Sequence, residues 1–292
     1  MENILEMIDV SKRYKGFSLQ RINLSLKPGY IMGFIGPNGA GKSTTIKLIM
    51  GLAKKDEGRI NLFGLDQDKH ALAIKERIGF VYDENHFYEE LTVQEMKNTI
   101  RPFYRKWDEG LFQKYAKEFE LPPDKPIKQL SKGMKMKLAL AIALSHDAEL
   151  LIMDEPTSGL DPLVRGEVLD ILQSVIQDER KSVLFSTHIT SDLEKVADYI
   201  AIIHQGRILL TATKDELLEE YGLIKGSKER LGELSREHIV AVKENSFGFE
   251  ALARNRREMA KRYGDAVLIE KPTLEDILFH TVRGGEQHVP AH

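Results

Sequence analysis

Residues 30–50 read YIMGFIGPNGAGKSTTIKLIM. The apolar run 30–35 predicts a buried strand, the glycine-rich stretch after it a loop, and the recurrence of Ile46, Ile49 and Met50 a helix. The loop fits G-x-x-x-x-G-K-[ST], with Gly36, Gly41, Lys42 and Ser43 in the fixed places. Such a loop turns backbone N–H groups inward around phosphates, and its glycines permit the dihedrals this needs. The helix behind it adds the positive end of its dipole. Lys42 is placed to reach the β- and γ-phosphates and Ser43 to ligate Mg²⁺, while Pro37, Asn38, Gly39, Ala40 and Thr44 complete the cradle. A glycine turn with a stray lysine has the same letters, but not a strand before it and a helix behind it. Phosphate binding on an α/β framework is the first expectation.

A second stretch, AELLIMDEPTSGLDP (148–162), supplies what a bound triphosphate needs next. Leu150 to Met153 form an uninterrupted apolar run, the mark of a parallel strand buried on both faces. It ends in two acids. Asp154 can hold Mg²⁺ and Glu155 can orient or deprotonate an attacking water. Pro162 suits the first turn of a helix whose apolar stripe is Val164, Val168, Ile171 and Val175. A third apolar run, SVLFSTH (182–188), ends in His188. A lone histidine at a strand end is more often structural than catalytic. Its place on the strand that follows Asp154 and Glu155 in the chain favours contact with the γ-phosphate.

Composition narrows the rest. The 292 residues carry 42 basic and 45 acidic side chains and a formal charge of −3, so nothing in the charge suggests nucleic acid. Cysteine is absent, which excludes disulfides and thiolate metal sites and permits a reducing compartment. MENILEMIDV lacks the basic start and apolar run of a signal peptide. Apolar runs such as LALAIAL (138–144) fall far short of the roughly 20 residues a membrane helix needs. A chain soluble by itself is expected.

Taken in order, GPNGAGKST, LLIMDE, SGLD (158–161) and STH resemble the Walker A, Walker B, D-loop and H-loop of the ATP-binding subunits of ABC transporters. The resemblance covers residues 1 to about 212, and the order and spacing of the four motifs are far more specific than the phosphate loop alone. It implies a P-loop NTPase core with a mainly parallel sheet, an antiparallel side sheet and a helical subdomain at about 85–147. It also gives a meaning to LSKGM (130–134), which stands where the family carries LSGGQ, the signature that faces ATP bound by a second copy. From the residues alone, Ser131 capping a helix start is either a solvated cap or an anion site. The resemblance selects the latter, with Ser131, Gly133 and the D-loop's Asp161 sensing the γ-phosphate. Lys132 and Met134 depart from the family pattern. So does RIGFVYDENHFY (77–88), where Asp83, with Glu84 beside it, takes the place of a glutamine that touches Mg²⁺ and water. A carboxylate binds Mg²⁺ more tightly than an amide, although its charge opposes the γ-phosphate. Read from the residues alone, an acidic surface turn fits equally. Tyr14 stands where the family stacks an aromatic ring on adenine.

Outside these motifs, residues 1–29 predict short antiparallel strands, with Ile22, Leu24 and Leu26 alternating before Pro28-Gly29. YIAIIH and RILL predict a hairpin through Gln205-Gly206. The aromatics of 87–119 predict core more than interface, with Phe87 and Tyr88 the best interface candidates. Residues 213–292 predict an α+β accessory lobe with strands at 239–242 and 266–269, a Thr273-capped helix, and a basic run, ARNRREMAKR (253–262), that reads as a solvated helix face. The resulting expectation is an ATPase, using ATP and Mg²⁺, that powers a membrane transporter by nucleotide-driven dimerisation, in the direction of export. Lys42, Glu155 and His188 are its catalytic residues and Ser43, Asp154 and Asp83 its metal ligands. Its partners are a separate membrane-spanning permease and a second ATP-binding subunit, not nucleic acid, and its place is the cytoplasmic face of the membrane. A regulatory module with little turnover and a non-transport ATPase of the same architecture are the rivals.

Overall fold

Ile31–Ile35 is fully buried along its whole length, because the strand it forms (β3) is paired on both sides and covered on both faces. The computed structural model describes residues 2–83, 86–235 and 237–287. β3 lies inside a six-stranded sheet with β6 (Ile78–Val81), β7 (Leu150–Asp154), β8 (Ser182–Thr187), β9 (Tyr199–His204) and β10 (Arg207–Thr213), ordered β10-β9-β3-β8-β7-β6. All neighbours pair parallel except β9 and β10. That hairpin turns at Gln205 and Gly206, both with positive φ (45° and 73°), the geometry that matches strand twist.

Alternation along each strand divides the core in two. Ile31, Ile35, Leu151, Met153, Val183, Phe185, Ile200 and Ile202 share one cluster. Their neighbours Met32, Phe34, Leu150, Ile152, Leu184, Ala201 and Ile203 belong to the other. The first face is covered by helices, the second by α1 (Lys42–Ile49) and a separate antiparallel sheet. That sheet, ordered β2-β1-β4-β5, contains β1 (Leu5–Tyr14), β2 (Phe17–Leu26), β4 (Glu57–Leu62) and β5 (Leu65–Asp66). β1 and β2 have ten residues each, longer than the short strands expected, because register shifts between Met7 and Val10 and between Val10 and Lys12 let one strand bend without ending.

The helical region after β6 holds α3 (Val93–Ile100), α4 (Glu109–Glu118) and α5 (Lys132–Leu144); α2 (Ala71–Lys75) precedes β6. Thr92 and Glu95 close a reciprocal cap at the start of α3. Phe112 and Phe119 are core residues and Phe87 packs against the same cluster, which removes Phe87 from the interface candidates; Tyr88 and Phe103 are exposed. α5 is apolar on nearly every side, and every residue of LALAIAL is buried, as expected of a helix wedged between sheet and neighbours. In α6 (Pro162–Val175) the buried stripe is Val168, Leu169, Leu172 and Val175, while Val164 and Ile171 are half-buried, a rotation of the expected face. α7 (Thr190–Val196) follows β8.

Behind β10 come α8 (Lys214–Glu220), α9 (Lys228–Leu231), α10 (Arg256–Tyr263) and α11 (Leu274–Gln287), around a third, antiparallel sheet. It contains β11 (Gly222–Gly226), β12 (Ile239–Glu244), β13 (Phe249–Ala253) and β14 (Leu268–Glu270), ordered β12-β13-β11-β14. Leu217, Tyr221, Leu274 and Ile277 join the main core cluster, so this lobe packs directly on the body built around the six-stranded sheet.

His146, just past α5, has no exposed surface and stacks on Tyr104 with ring centroids 3.8 Å apart. Burial pushes its pKa down from 6.5 to about 4. The unfolded chain therefore binds the extra proton first, and stability present above the unfolded value is lost as pH falls toward the folded one. Urea denaturation of the wild type is expected to give about 2 kcal/mol less stability at pH 5 than at pH 7 from this group. His146→Phe should remove that share of the pH dependence. An unchanged pH slope in the variant would show that the ring titrates normally.

Candidate active site

β3 delivers its carboxyl end into the loop Gly36–Gly41, and α1 starts immediately behind it at Lys42. Gly41 is the N-cap at φ 116°, and a Cβ there would lie 2.6 Å from the Leu19 side chain. Only glycine satisfies both the dihedral and the packing. One cleft of about 710 Å³ is lined by Pro37, Asn38, Gly39, Gly41, Lys42, Ser43 and Thr44 on the loop side. Asp83, Glu155, Ser158 and His188, with Gly16 and Phe17, complete its wall. Gly36 and Ala40 belong to the same loop but do not line this cleft.

Lys42 is 6% exposed, and its Nζ donates to the Gly36 carbonyl at 2.8 Å and pairs with Glu155 Oε1 at 3.1 Å. Glu155 Oε2 accepts from the His188 backbone N–H at 3.2 Å and lies 2.7 Å from His188 Nδ1. β7 and β8 pair in register with Asp154 opposite Ser186, which brings the two strand ends level. Ser186 Oγ donates to Asp154 Oδ1 at 2.6 Å, and the Glu155 N–H bonds the Ser186 carbonyl at 3.0 Å. Glu155 itself sits at φ 51°, a left-handed conformation that costs a non-glycine residue about 1 kcal/mol and here turns its carboxylate into the cleft. Lysine, glutamate and histidine thus meet in one network from three separate stretches of sequence.

Asp83 lines the cleft from the loop after β6. Burial raises the pKa of its carboxyl, with the nearby charges of Glu155 and Asp154 adding to this and Lys132 opposing it. Its chain neighbour Glu84 lies outside the described residues. Ser43, Asp154 and Asp83 are hard oxygen donors of the kind Mg²⁺ takes. Among the described residues no group of three or more His, Cys, Asp and Glu side chains is arranged to hold a metal by itself.

The remaining expected site residues are elsewhere. Tyr14 ends β1, exposed, with Lys12 Nζ 5.5 Å from its ring centre, and does not line the cleft; Phe17 and Gly16 do. Ser131 caps α5, its Oγ accepting from the Met134 N–H at 3.2 Å. Gly133 is buried, and a Cβ there would lie 2.9 Å from Val164, so close helix packing already requires this glycine. Asp161 caps α6 by accepting from the N–H groups of Leu163 and Val164, both at 3.1 Å. None of these three lines the subunit's own cleft.

Sequence reasoning missed a buried junction. Asp192, with no exposed surface, accepts from Thr157 Oγ1 at 2.7 Å and pairs with Arg165. It ties the turn after Glu155 to α6 and to the helix that follows His188. The only signal was an aspartate one helical turn beyond that histidine, which reads as surface. No helix among the described residues is long and apolar enough to cross a membrane.

The family model for ABC transporters matches residues 19–158. The chain is 36% identical over 223 residues to the bacitracin transport ATP-binding protein BcrA of Bacillus licheniformis, covering 74% of this chain and 72% of that one. It is 31% identical to an uncharacterized ABC transporter ATP-binding protein, sll0415, of Synechocystis, covering 96% of this chain and 85% of that one. A solved structure described as the ATP-binding subunit of an ABC transporter superposes with a TM-score of 0.65 at 30% identity, over 73% of this chain and 91% of that one.

Proposed function

We infer, from the premise that this chain belongs to the ABC transporter family as one of its ATP-binding, ATP-hydrolysing subunits, that it works as one of two paired cassettes driving a separate permease outward. Residues 1–212 are the ATP-binding domain, with 85–147 inserted as the helical subdomain, and 213–292 are an accessory lobe. Its site is cytoplasmic, at the inner face of the membrane through the permease. A transport role is supported by BcrA, which is named for the transport of bacitracin, and the outward direction by a 36% identical relative of Bacillus subtilis named for linearmycin resistance. Tyr88 and Phe103, exposed on the helical subdomain, are the surface offered to the permease.

The loop amides and Lys42 bind the phosphates, which replace Glu155 as the lysine's partner. Ser43, Asp154 and Asp83 would hold a Mg²⁺ ion brought with the nucleotide, which would supply charge neutralisation at the phosphates. Glu155, released from Lys42, takes the proton of the attacking water on its carboxylate, and His188 holds that carboxylate in line. Tyr14 stacks on the base. The observation that carries the two-copy reading is the split in the site residues. Lys42, Glu155 and His188 converge in one cleft, whereas Ser131, Gly133 and Asp161 lie outside it, the arrangement expected if they serve a second copy's nucleotide.

Dilution tests this. If each site needs a second chain, specific ATPase activity should rise with protein concentration, and light scattering should show mass doubling only with ATP. Turnover independent of concentration in a chain that stays monomeric would leave a self-sufficient ATPase in place of a paired motor.

A further inference from the structure

The first turns of α5 carry Lys132, Lys135 and Lys137 and no acid, an arrangement that opposes the positive end of the helix dipole. The loop after β6 explains part of it. Lys132 Nζ lies 3.6 Å from Asp83 Oδ1, Lys135 Nζ 2.8 Å from Glu89 and Lys128 Nζ 2.6 Å from Glu90. Three ion pairs therefore tie Lys128, Lys132 and Lys135, at and before the start of the signature helix, to Asp83, Glu89 and Glu90, of which Asp83 reaches the phosphate cleft.

Only the first of these pairs ends in the cleft, and it is the poorest of the three. Asp83 Oδ1 is shielded from solvent and takes no hydrogen bond, and Lys132 stands beyond hydrogen-bond distance. The carboxylate faces further negative charge from Glu155 and Asp154. Both side chains are close to half exposed, and a pair of that kind is worth about 0–1 kcal/mol. A divalent cation bound among phosphates is a far stronger partner for such an oxygen.

We propose that Lys132 and Asp83 form a latch within one subunit that cation-bound nucleotide opens, Asp83 turning to the cation and the freed lysine carrying its charge beside Ser131 to the phosphates on the opposite copy. The two departures from the family's signature and glutamine positions are then one device: the acid needs the lysine when no cation competes, and the lysine finds an anion when it is displaced. The inference rests on the reading of the cleft as the ATP site and on the paired arrangement, and goes beyond both in coupling Asp83 to the far end of α5.

A water-soluble carbodiimide joins a carboxylate to an amine in contact with loss of one water, so peptide mass spectrometry of the treated full chain reads the latch directly. The Lys132–Asp83 product should form without nucleotide and fall about tenfold with Mg²⁺ and a non-hydrolysable ATP analogue. With the analogue and EDTA it should persist. Lys135–Glu89 and Lys128–Glu90 products serve as internal references that stay constant. Lys132→Arg keeps the charge and should abolish only the product, while Lys132→Gln should weaken ATP-driven dimerisation about tenfold and leave single-chain affinity for the Mg²⁺-bound nucleotide unchanged or up to about fivefold tighter, since nothing then competes for Asp83. Nucleotide binding is measured by fluorescence on the same samples. If nucleotide binds with Mg²⁺ and the Lys132–Asp83 product is undiminished, or if the product never forms, the latch is wrong and the ATP site stands. If nucleotide does not bind, the reading of the cleft falls first and the latch with it.

Discussion

Glu155→Gln is expected to lower steady-state ATP turnover by about 10²–10⁴-fold while leaving ATP binding within a few-fold of wild type. The carboxylate is positioned for a single task. A strained backbone at φ 51° aims it into the cleft, Lys42 holds one oxygen and His188 the other. A glutamine has nearly the same volume and can still bond His188, so the wall of the cleft survives. It cannot accept a proton from water, and it no longer competes with phosphate for Lys42. The second effect works in favour of binding: removing the internal rival of the γ-phosphate leaves the lysine more available. The expected pattern is therefore a large loss in kcat together with unchanged or tighter nucleotide affinity, read by phosphate release and by equilibrium titration on one preparation. A variant that turns over within about twofold of wild type would remove Glu155 from the chemistry and leave it as the resting counter-ion of Lys42.

Why the chemistry was so legible, and the lobe behind it less so, has a physical basis. Residues 31–35, 150–154 and 182–187 are parallel strands buried on both faces, which write themselves as largely apolar runs, the first leading into the phosphate loop and the other two into Glu155 and His188. Strand order brings Glu155 and His188 together without any help from loops. β11 and β13, by contrast, were missed. GLIKG and FEALA are five residues long, rich in glycine and alanine, and take their burial from each other and from α11, so neither carries a strand signal of its own. β12 and β14, their edge partners, were visible through valine and isoleucine. The Asp192 junction was hidden for a related reason: a buried charge is recognised by its partners, Thr157 and Arg165, which are distant in sequence. The cap role of Ser131 was readable from local pattern, whereas Asp161 was read only as a phosphate sensor and not as the cap of α6, and the packing need for Gly133 came only from Val164 on another helix.

Lys42→Met carries the second large effect, and it separates binding from stability. The side chain is 6% exposed and Glu155 13%, so this ion pair is shielded from water far more than the surface pairs of the molecule. Methionine fills the volume but leaves Glu155 beside Asp154 with His188 as its remaining partner. A loss of about 2 kcal/mol in folding stability follows, below the 3–5 kcal/mol of a fully buried pair because His188 keeps one oxygen satisfied. The double variant Lys42→Met with Glu155→Gln removes the stranded charge and should recover most of that loss, giving a coupling energy between the two sites of about 1–2 kcal/mol in urea denaturation. ATP affinity should not recover. Charge-assisted contacts to phosphate contribute about 1.5–3 kcal/mol apiece, so single and double variants alike should bind ATP at least about tenfold, and up to about a hundredfold, more weakly than wild type. Stability restored without affinity would assign Lys42 two separable jobs: internal partner of Glu155, and phosphate ligand once nucleotide arrives. If the lysine-to-methionine chain binds ATP within about threefold of wild type, the backbone cradle of residues 36–44 holds the phosphates without it and the lysine serves the fold alone.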